Sequence, residues 1–214
     1  MKRSMLVVAL VTGFVVAAPP SQAAVIYNNF GAGDAYNHTG GWAVTGPDVL
    51  HLGNWDIAMP FSVSEPGVML DKVELAVARH SGPNELDVWV MSDSAGVPGE
   101  VLEAFHFTNA MGGSFSPPLS ALSVVQPILS AGATYWLAAS TDTTTDAGWM
   151  ENSTGDSGII GYRSTGGWVS VSPRDRCAFR ISGTPQGANV VPEPATLGLL
   201  ALGGLALLRR RRRK

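Results

Sequence analysis

The chain has 214 residues, of which 45% are hydrophobic, and a formal net charge of −3 at pH 7. Eight of its 14 bases and one of its 17 acids lie in residues 1–23 and 192–214, so residues 24–191 keep 6 bases and 16 acids, a net charge of about −10. Such an acidic segment repels polyanions, which excludes a nucleic-acid partner. The single cysteine, Cys177, excludes an internal disulfide and is predicted to be a buried thiol.

The amino terminus has the parts of a secretory signal peptide. Lys2 and Arg3 precede an apolar run over residues 5–18, and small residues follow that run. This order predicts a signal peptide over residues 1–23 that signal peptidase cuts after Ala23, with Ala24 as the alternative site. A retained amino-terminal membrane anchor is disfavoured because the apolar run is short and ends at prolines.

Residues 24–184 are predicted to form one domain of short strands. Apolar residues alternate over 73–77 and 86–90, and the second alternation places Trp89 on the face opposite Val88 and Val90. Further predicted strands are 25–30, 57–63, 101–107, 120–125, 134–139, 158–162, 168–171 and 178–181, with 92–99 as a turn-rich connector. The absence of a long helical period favours an all-β fold, an antiparallel two-sheet β-sandwich of jelly-roll or Ig-like type.

Six tryptophans exceed what a small core usually needs. An aromatic face stacks on the apolar C–H surface of a sugar ring, so tryptophans exposed on a sandwich suit polysaccharide binding. Simple packing in the core is the alternative for each of them. The predicted glycan contacts are Trp89, Trp149 and Trp168.

Four acidic residues lie in a polar, threonine-rich stretch that the sequence predicts to be a loop: Asp142, Asp146, Glu151 and Asp156. Carboxylates on a loop are the ligands that Ca²⁺ requires. Their spacing matches no known calcium loop, so a solvated acidic loop is the other interpretation. Apart from this possible Ca²⁺ site, no cofactor is expected.

The segment Gly155-Asp156-Ser157-Gly158 is similar to part of the sequence around the nucleophile of trypsin-like proteases. Catalysis by that serine also needs a positioned histidine base and an orienting acid. None of the four histidines has the sequence setting of that family, and no catalytic residue is predicted. We therefore expect a turn at this segment and a protein that is not an enzyme.

The carboxyl-terminal residues follow an unusual order. A linker over 185–191 leads to the motif Val191-Pro192-Glu193-Pro194 and to an apolar run over 195–208. As a helix the run is about 21 Å long at roughly 1.5 Å per residue, which makes it a marginal transmembrane segment. Stop-transfer bases close the chain: Arg209, Arg210, Arg211, Arg212, Arg213 and Lys214. These bases are expected to stay cytoplasmic, so residues 24–191 lie outside.

This order, over residues 192–214, closely resembles the PEP-CTERM sorting signal. The resemblance implies that an exosortase-type processing enzyme recognises residues 192–194 and removes the tail. It also implies export across the inner membrane of a Gram-negative-type bacterium, a transient membrane anchor, and delivery to the cell surface or extracellular matrix.

A second resemblance concerns the domain itself. The segments Asn28-Asn29-Phe30-Gly31, 92–99, 132–137 and 178–181 look like those of bacterial choice-of-anchor domains, which supports the sandwich but implies no activity. The predicted function is a structural or adhesive role in exopolysaccharide or biofilm. The alternative is a glycan-binding module that uses exposed aromatics, with or without Ca²⁺.

Overall fold

The computed structural model describes residues 23–186, apart from residues 48, 50–52 and 66, and this part of the chain folds into antiparallel strands with one short 3-10 turn at Ala32–Asp34. The strands are β1 (Ala24–Asn28), β2 (Tyr36–Thr45), β3 (Asp56–Ser62), β4 (Val68–Leu75), β5 (Val77–Ser81), β6 (Glu85–Ser94), β7 (Val97–Thr108), β8 (Leu119–Leu122), β9 (Ile128–Leu129), β10 (Thr134–Ser140), β11 (Asp146–Asn152), β12 (Ser157–Arg163), β13 (Val169–Asp175) and β14 (Phe179–Pro185). The predicted all-β antiparallel class is confirmed.

The strands form three hydrogen-bonded sheets. The largest has six strands in the order β13-β12-β3-β10-β6-β7. A second has the order β1-β14-β4-β8, with β9 also paired to β4, and the third has the order β2-β11-β5. The sequence predicts two sheets, and the third sheet is formed around β2 and β11, two strands that the sequence analysis does not predict.

The two smaller sheets are connected through two alanines. Ala76 separates β4 from β5, and its amide donates to the carbonyl of Ala178 at 3.1 Å. Met150 of β11 bonds both alanines, since its amide donates to Ala76 and its carbonyl accepts from Ala178, each at 2.8 Å. The chain therefore passes from one sheet to the other with its backbone groups satisfied.

The main core lies between the six-stranded sheet and the two smaller ones. It contains Leu137 and Val88 of the largest sheet, Leu75 and Phe179 of the second, and Trp149 of the third, all buried in one cluster. The alternation read from the sequence over 73–77 and 86–90 places Leu75 and Val88 inward, because successive residues of a strand point to opposite faces.

A tight hairpin replaces the predicted connector over residues 92–99. Strands β6 and β7 meet at Ala95-Gly96, where φ is +55° and +85°, and the pair Ser94 and Val97 closes the turn. Two central residues with positive φ define the type I′ geometry that matches strand twist. Asp93 supports the turn because its carboxylate accepts the amide of Gly96 at 3.1 Å.

The thiol of Cys177 is buried, as predicted, and donates to the carbonyl of Trp149 at 3.0 Å. Burial raises the pKa of this thiol well above its usual value.

Strand β14 includes Pro185, which the sequence analysis assigns to the linker.

Both terminal predictions concern residues beyond this domain. Residues 1–22 of the predicted signal peptide lie outside the described residues. So do the sorting motif, the apolar run over 195–208 and the terminal bases. Within the part of the chain that the structure describes, we find no helix with the length and apolarity that crossing a membrane requires.

Candidate functional site

The six-stranded sheet has a second apolar cluster on the side away from the main core. Along β10, Leu137 and Ala139 point into the main core, whereas Trp136 and Ala138 belong to the second cluster. Trp89 of β6 lies directly opposite Ala138, so it shares that side. The predicted position of Trp89, opposite Val88 and Val90, is therefore confirmed.

A row of small residues forms the base of this outer side. Gly161, Ala58 and Ala138 are in register across β12, β3 and β10. A Cβ atom at Gly161 would lie 3.2 Å from Cζ3 of Trp136, a tighter approach than side chains normally make. The small row thus leaves room for the indole ring of Trp136, which is buried with 1% exposure.

Trp89 and Trp168 are both half-buried and pack against the second apolar cluster. The Arg163 guanidinium lies over the rings of Trp89 and Trp168, with its Cζ atom 5.6 and 4.9 Å from the two centroids. These are cation–π distances, and they bring the two centroids to within about 10.5 Å of each other. We call Trp89, Trp136 and Trp168, with Arg163, the tryptophan face.

A row of polar side chains lies two residues along the strands from the row of small residues, on the same side of the sheet. We call it the polar row; it consists of one residue from each of β12, β3, β10, β6 and β7, in that order: Arg163, Asp56, Ser140, Asp87 and His106. Asp56 is fully buried, and its Oδ2 accepts from Nε and Nη2 of Arg163 at 2.7 and 2.6 Å. Ser140 donates to the other oxygen, Oδ1, at 2.6 Å. Each end of the row thus pairs a base with a carboxylate, Arg163 with Asp56 and His106 with Asp87.

His106 forms the exposed end of the polar row. Its Nδ1 lies 2.8 Å from Oδ1 of Asp87, and this hydrogen bond, together with the charge of Asp87, raises the pKa of His106. A raised pKa means that the interaction is favourable at low pH and is lost as pH rises through that pKa. We expect the NMR titration of His106 to move to lower pH in Asp87→Asn. An unchanged titration midpoint would contradict the pairing, and His80, which faces Asp146 instead, serves as the control.

A cleft of about 480 Å³ adjoins the tryptophan face through Trp136. The indole Nε1 of Trp136 donates to Oδ1 of Asp93 at 2.8 Å, and Tyr27 and Arg176 also line the cleft. Tyr27 donates to Asp156 at 2.5 Å, and burial followed by this bond raises the pKa of the phenol, so Tyr27 stays neutral at physiological pH. The cleft offers donors and acceptors beside apolar surface, which is typical of small-molecule sites.

One of the three predicted glycan contacts is wrong. Trp149 is fully buried in the main core, where its Nε1 donates to the carbonyl of Ala178 at 3.0 Å and its ring packs on Phe179. It lies on β11, a strand where the sequence analysis predicts a loop. The other two, Trp89 and Trp168, lie together on the tryptophan face.

The four predicted calcium ligands do not converge. Among the described residues, no group of three or more histidines, cysteines or acids is placed to hold a metal. Asp146 faces His80, Glu151 accepts from Asn37, and Asp156 accepts from Tyr27 and Asn29. Asp142 is exposed. The carboxylates do not converge because Asp146 and Glu151 lie on β11 and are strand residues rather than parts of a flexible loop.

Sequence reasoning missed the polar row. A signal for part of it was present, since Asp56 is a lone charge that opens the apolar segment 56–61 and Arg163 is one of six bases in the domain. The turn prediction at Gly155–Gly158 is correct for Gly155 and Asp156, which lie between β11 and β12, whereas Ser157 and Gly158 are the first residues of β12.

The fold and the outer face define an all-β domain with an aromatic surface. Comparison with protein families finds the PEP-CTERM protein-sorting motif at residues 190–213. No curated protein matches the chain. The predicted sorting signal is therefore confirmed, whereas the likeness to choice-of-anchor domains stays a prediction. The chain is an exported protein that an exosortase-type enzyme sorts to the cell surface through a membrane-anchored stage.

Proposed function

We propose that the exported domain is a non-enzymatic adhesive protein of the extracellular polysaccharide matrix and that the tryptophan face is its polysaccharide contact. The host is a bacterium of the Gram-negative type, in which the sorted protein joins exopolysaccharide or biofilm. The single observation that carries this proposal is the position of Trp89 and Trp168 over Arg163 on the outer side of the sheet.

The chemistry of the face suits a hydroxylated polymer. Half-buried indole rings offer apolar surface to the C–H faces of sugars, and the adjoining polar row offers side chains that donate and accept hydrogen bonds. Asp56 holds Arg163 in place, so the guanidinium is oriented before a ligand arrives. Pre-orientation lowers the entropy that binding costs.

The charge of the domain favours a neutral polysaccharide. Residues 24–191 carry a net charge of about −10, which repels anionic polymers. On the face itself Arg163 is neutralised by Asp56, and His106 is adjacent to Asp87. We therefore expect binding to neutral polysaccharides that depends little on salt and needs no Ca²⁺, in contrast to a calcium-assisted module.

Affinity electrophoresis in neutral and anionic polysaccharides tests the proposal. Trp89→Ala and Trp168→Ala should each weaken binding about tenfold, which corresponds to roughly 1.4 kcal/mol of lost contact. EDTA should leave the affinity of the unchanged protein as it is. Phe115→Ala is the matched control, because Phe115 is 81% exposed and its ring packs on His38 of β2, in the three-stranded sheet rather than the six-stranded one.

Full binding by both tryptophan variants would rule out the tryptophan face as the contact. An equal loss in Phe115→Ala would show that any exposed aromatic ring contributes, and the face would then have no special role. Binding that EDTA abolishes would favour the calcium-assisted alternative.

A further inference from the structure

A short segment at the edge of the five-stranded sheet exposes four large apolar side chains. From the last residue of β8 to the first residue of β9, Leu122 is 73% exposed, Val124 87%, Val125 66% and Ile128 55%. We call residues 122–128 the apolar loop. Single exposed apolar residues are ordinary on protein surfaces, but four within seven residues form a patch that usually marks an interaction site.

A buried carboxylate holds this loop in shape. Glu103 of β7 is 4% exposed, and its Oε1 accepts the amides of Val124 and Val125 at 2.6 and 3.0 Å. Its Oε2 accepts the hydroxyl of Ser123. The backbone is thus bound from the inside, which leaves the valine side chains pointing outward. The Glu103 carboxylate thus fixes the backbone so that the side chains of Val124 and Val125 are exposed to solvent.

The apolar loop lies at the end of the sheet where the chain leaves for its tail. Val68, the first residue of β4, pairs with Pro185 of β14 on one side and with Leu129 of β9 on the other. Neighbouring strands are about 4.8 Å apart, so the exit point is about 10 Å from β9. The start of β1 lies at the same end, since Ala24 pairs with Gly183.

The sorting tail limits how far this end can be from a membrane. Only residues 187–194 separate Gln186 from the apolar run that begins at Ala195. A chain of that length reaches at most about 30 Å even when fully extended. While the tail is anchored, the exit point can be no more than about 30 Å, and the adjacent apolar loop no more than about 40 Å, from the point where the apolar run enters the bilayer.

We propose that the apolar loop is a membrane-interface contact, in which the side chains of Leu122, Val124, Val125 and Ile128 enter the lipid headgroup region during the membrane-anchored stage. Shallow insertion of apolar side chains strengthens with the apolar area buried. Tethering by the tail raises the effective concentration of lipid at the loop, so a small patch is sufficient. The contact ends when the processing enzyme removes the tail. This inference rests on the sorting signal and is independent of polysaccharide binding.

The test uses the full chain reconstituted in phosphatidylcholine vesicles. Val124→Cys is labelled with the fluorophore NBD, and Cys177 stays unlabelled because it is buried and its thiol pKa is raised. We expect a blue-shifted emission that headgroup-level nitroxide lipids largely quench. Val169→Cys is the control, since Val169 is 44% exposed on β13, a strand of the six-stranded sheet. Ile128→Cys provides a second reporter at the other end of the loop.

Each outcome supports or overturns the proposal. Quenching at positions 124 and 128 but not at 169 supports a membrane contact by the loop. Unquenched, solvent-like emission at 124 and 128 overturns it. Equal quenching at all three positions overturns it as well, since the whole domain then lies on the lipid. A blue shift without quenching, which grows with protein density in the membrane, assigns the loop to a second copy of the chain instead.

Discussion

Trp149→Ala is expected to lower the free energy of unfolding by about 3–5 kcal/mol, the usual cost of removing a fully buried tryptophan. Trp149 has 0% exposure, its ring packs edge-on against Phe179 at 6.1 Å, and its indole donates to the carbonyl of Ala178. A cavity at this position would lie where the three-stranded sheet meets the main core. Since whole domains are stable by only about 5–15 kcal/mol, the variant should be close to unfolding.

Urea unfolding followed by far-ultraviolet circular dichroism measures this loss. Trp149→Phe should lose much less, because the ring still fills most of the space and the carbonyl of Ala178 keeps its bond from the amide of Ala76. Trp168→Ala is the matched control, since Trp168 is only half-buried and outside the main core. Equal stability losses in Trp149→Ala and Trp168→Ala would contradict the core position of Trp149.

The strands that alternate clearly could be predicted from the sequence, whereas the three-stranded sheet could not. Strand β2 contains Gly40 and Gly41 and few apolar residues, so it has no clear period of two. A Cβ at Gly41 would lie 2.9 Å from the carbonyl oxygen of Trp149, which shows why the pairing of β2 with β11 needs glycine there. That requirement comes from the partner strand and cannot be read locally.

The same error explains both failed predictions at the candidate site. Asp146 and Glu151 begin and nearly end β11, and acidic residues at these positions are typical of a solvated loop. Each is instead accommodated by a side chain from a neighbouring strand, His80 for Asp146 and Asn37 for Glu151. Once this segment is taken as a loop, Trp149 is predicted to be exposed and the acids are predicted to be free for a cation.

The tryptophan face was predictable only in part. Local alternation is sufficient to place Trp89 on the outer side of its strand. The proximity of Trp168 depends on the order β12-β3-β10-β6, which brings Arg163 beside Asp56 and Ala138 beside Trp89. These pairings join residues that are far apart in the chain, and nothing in a single sequence specifies strand order. The polar row was missed for the same reason.

Asp56→Ala is expected to destabilise the domain by about 2–3 kcal/mol and to weaken polysaccharide binding as well. Removing one partner of a fully buried ion pair typically costs roughly 3–5 kcal/mol. The cost here is lower because the Arg163 side chain is 33% exposed and water can solvate its charge once Asp56 is gone. The hydroxyl of Ser140 also loses its acceptor. Without Asp56 the guanidinium has no fixed position over Trp89 and Trp168, so Arg163 is no longer oriented for binding and the affinity for polysaccharide falls.

Urea unfolding and affinity electrophoresis, both at a temperature where the variant is folded, separate the two effects. Asp56→Asn keeps the size of the side chain and one acceptor oxygen but removes its charge, so it should lose less stability than Asp56→Ala and should loosen Arg163 less. Asp87→Asn is the control in the same polar row, where the pair with His106 is exposed to solvent and should change the unfolding midpoint little. If Asp56→Ala and Asp87→Asn were equally stable, the buried pair could not be what fixes Arg163. In that case the side chains of the tryptophan face would be held in position only by the packing of their rings on the small row of Gly161, Ala58 and Ala138.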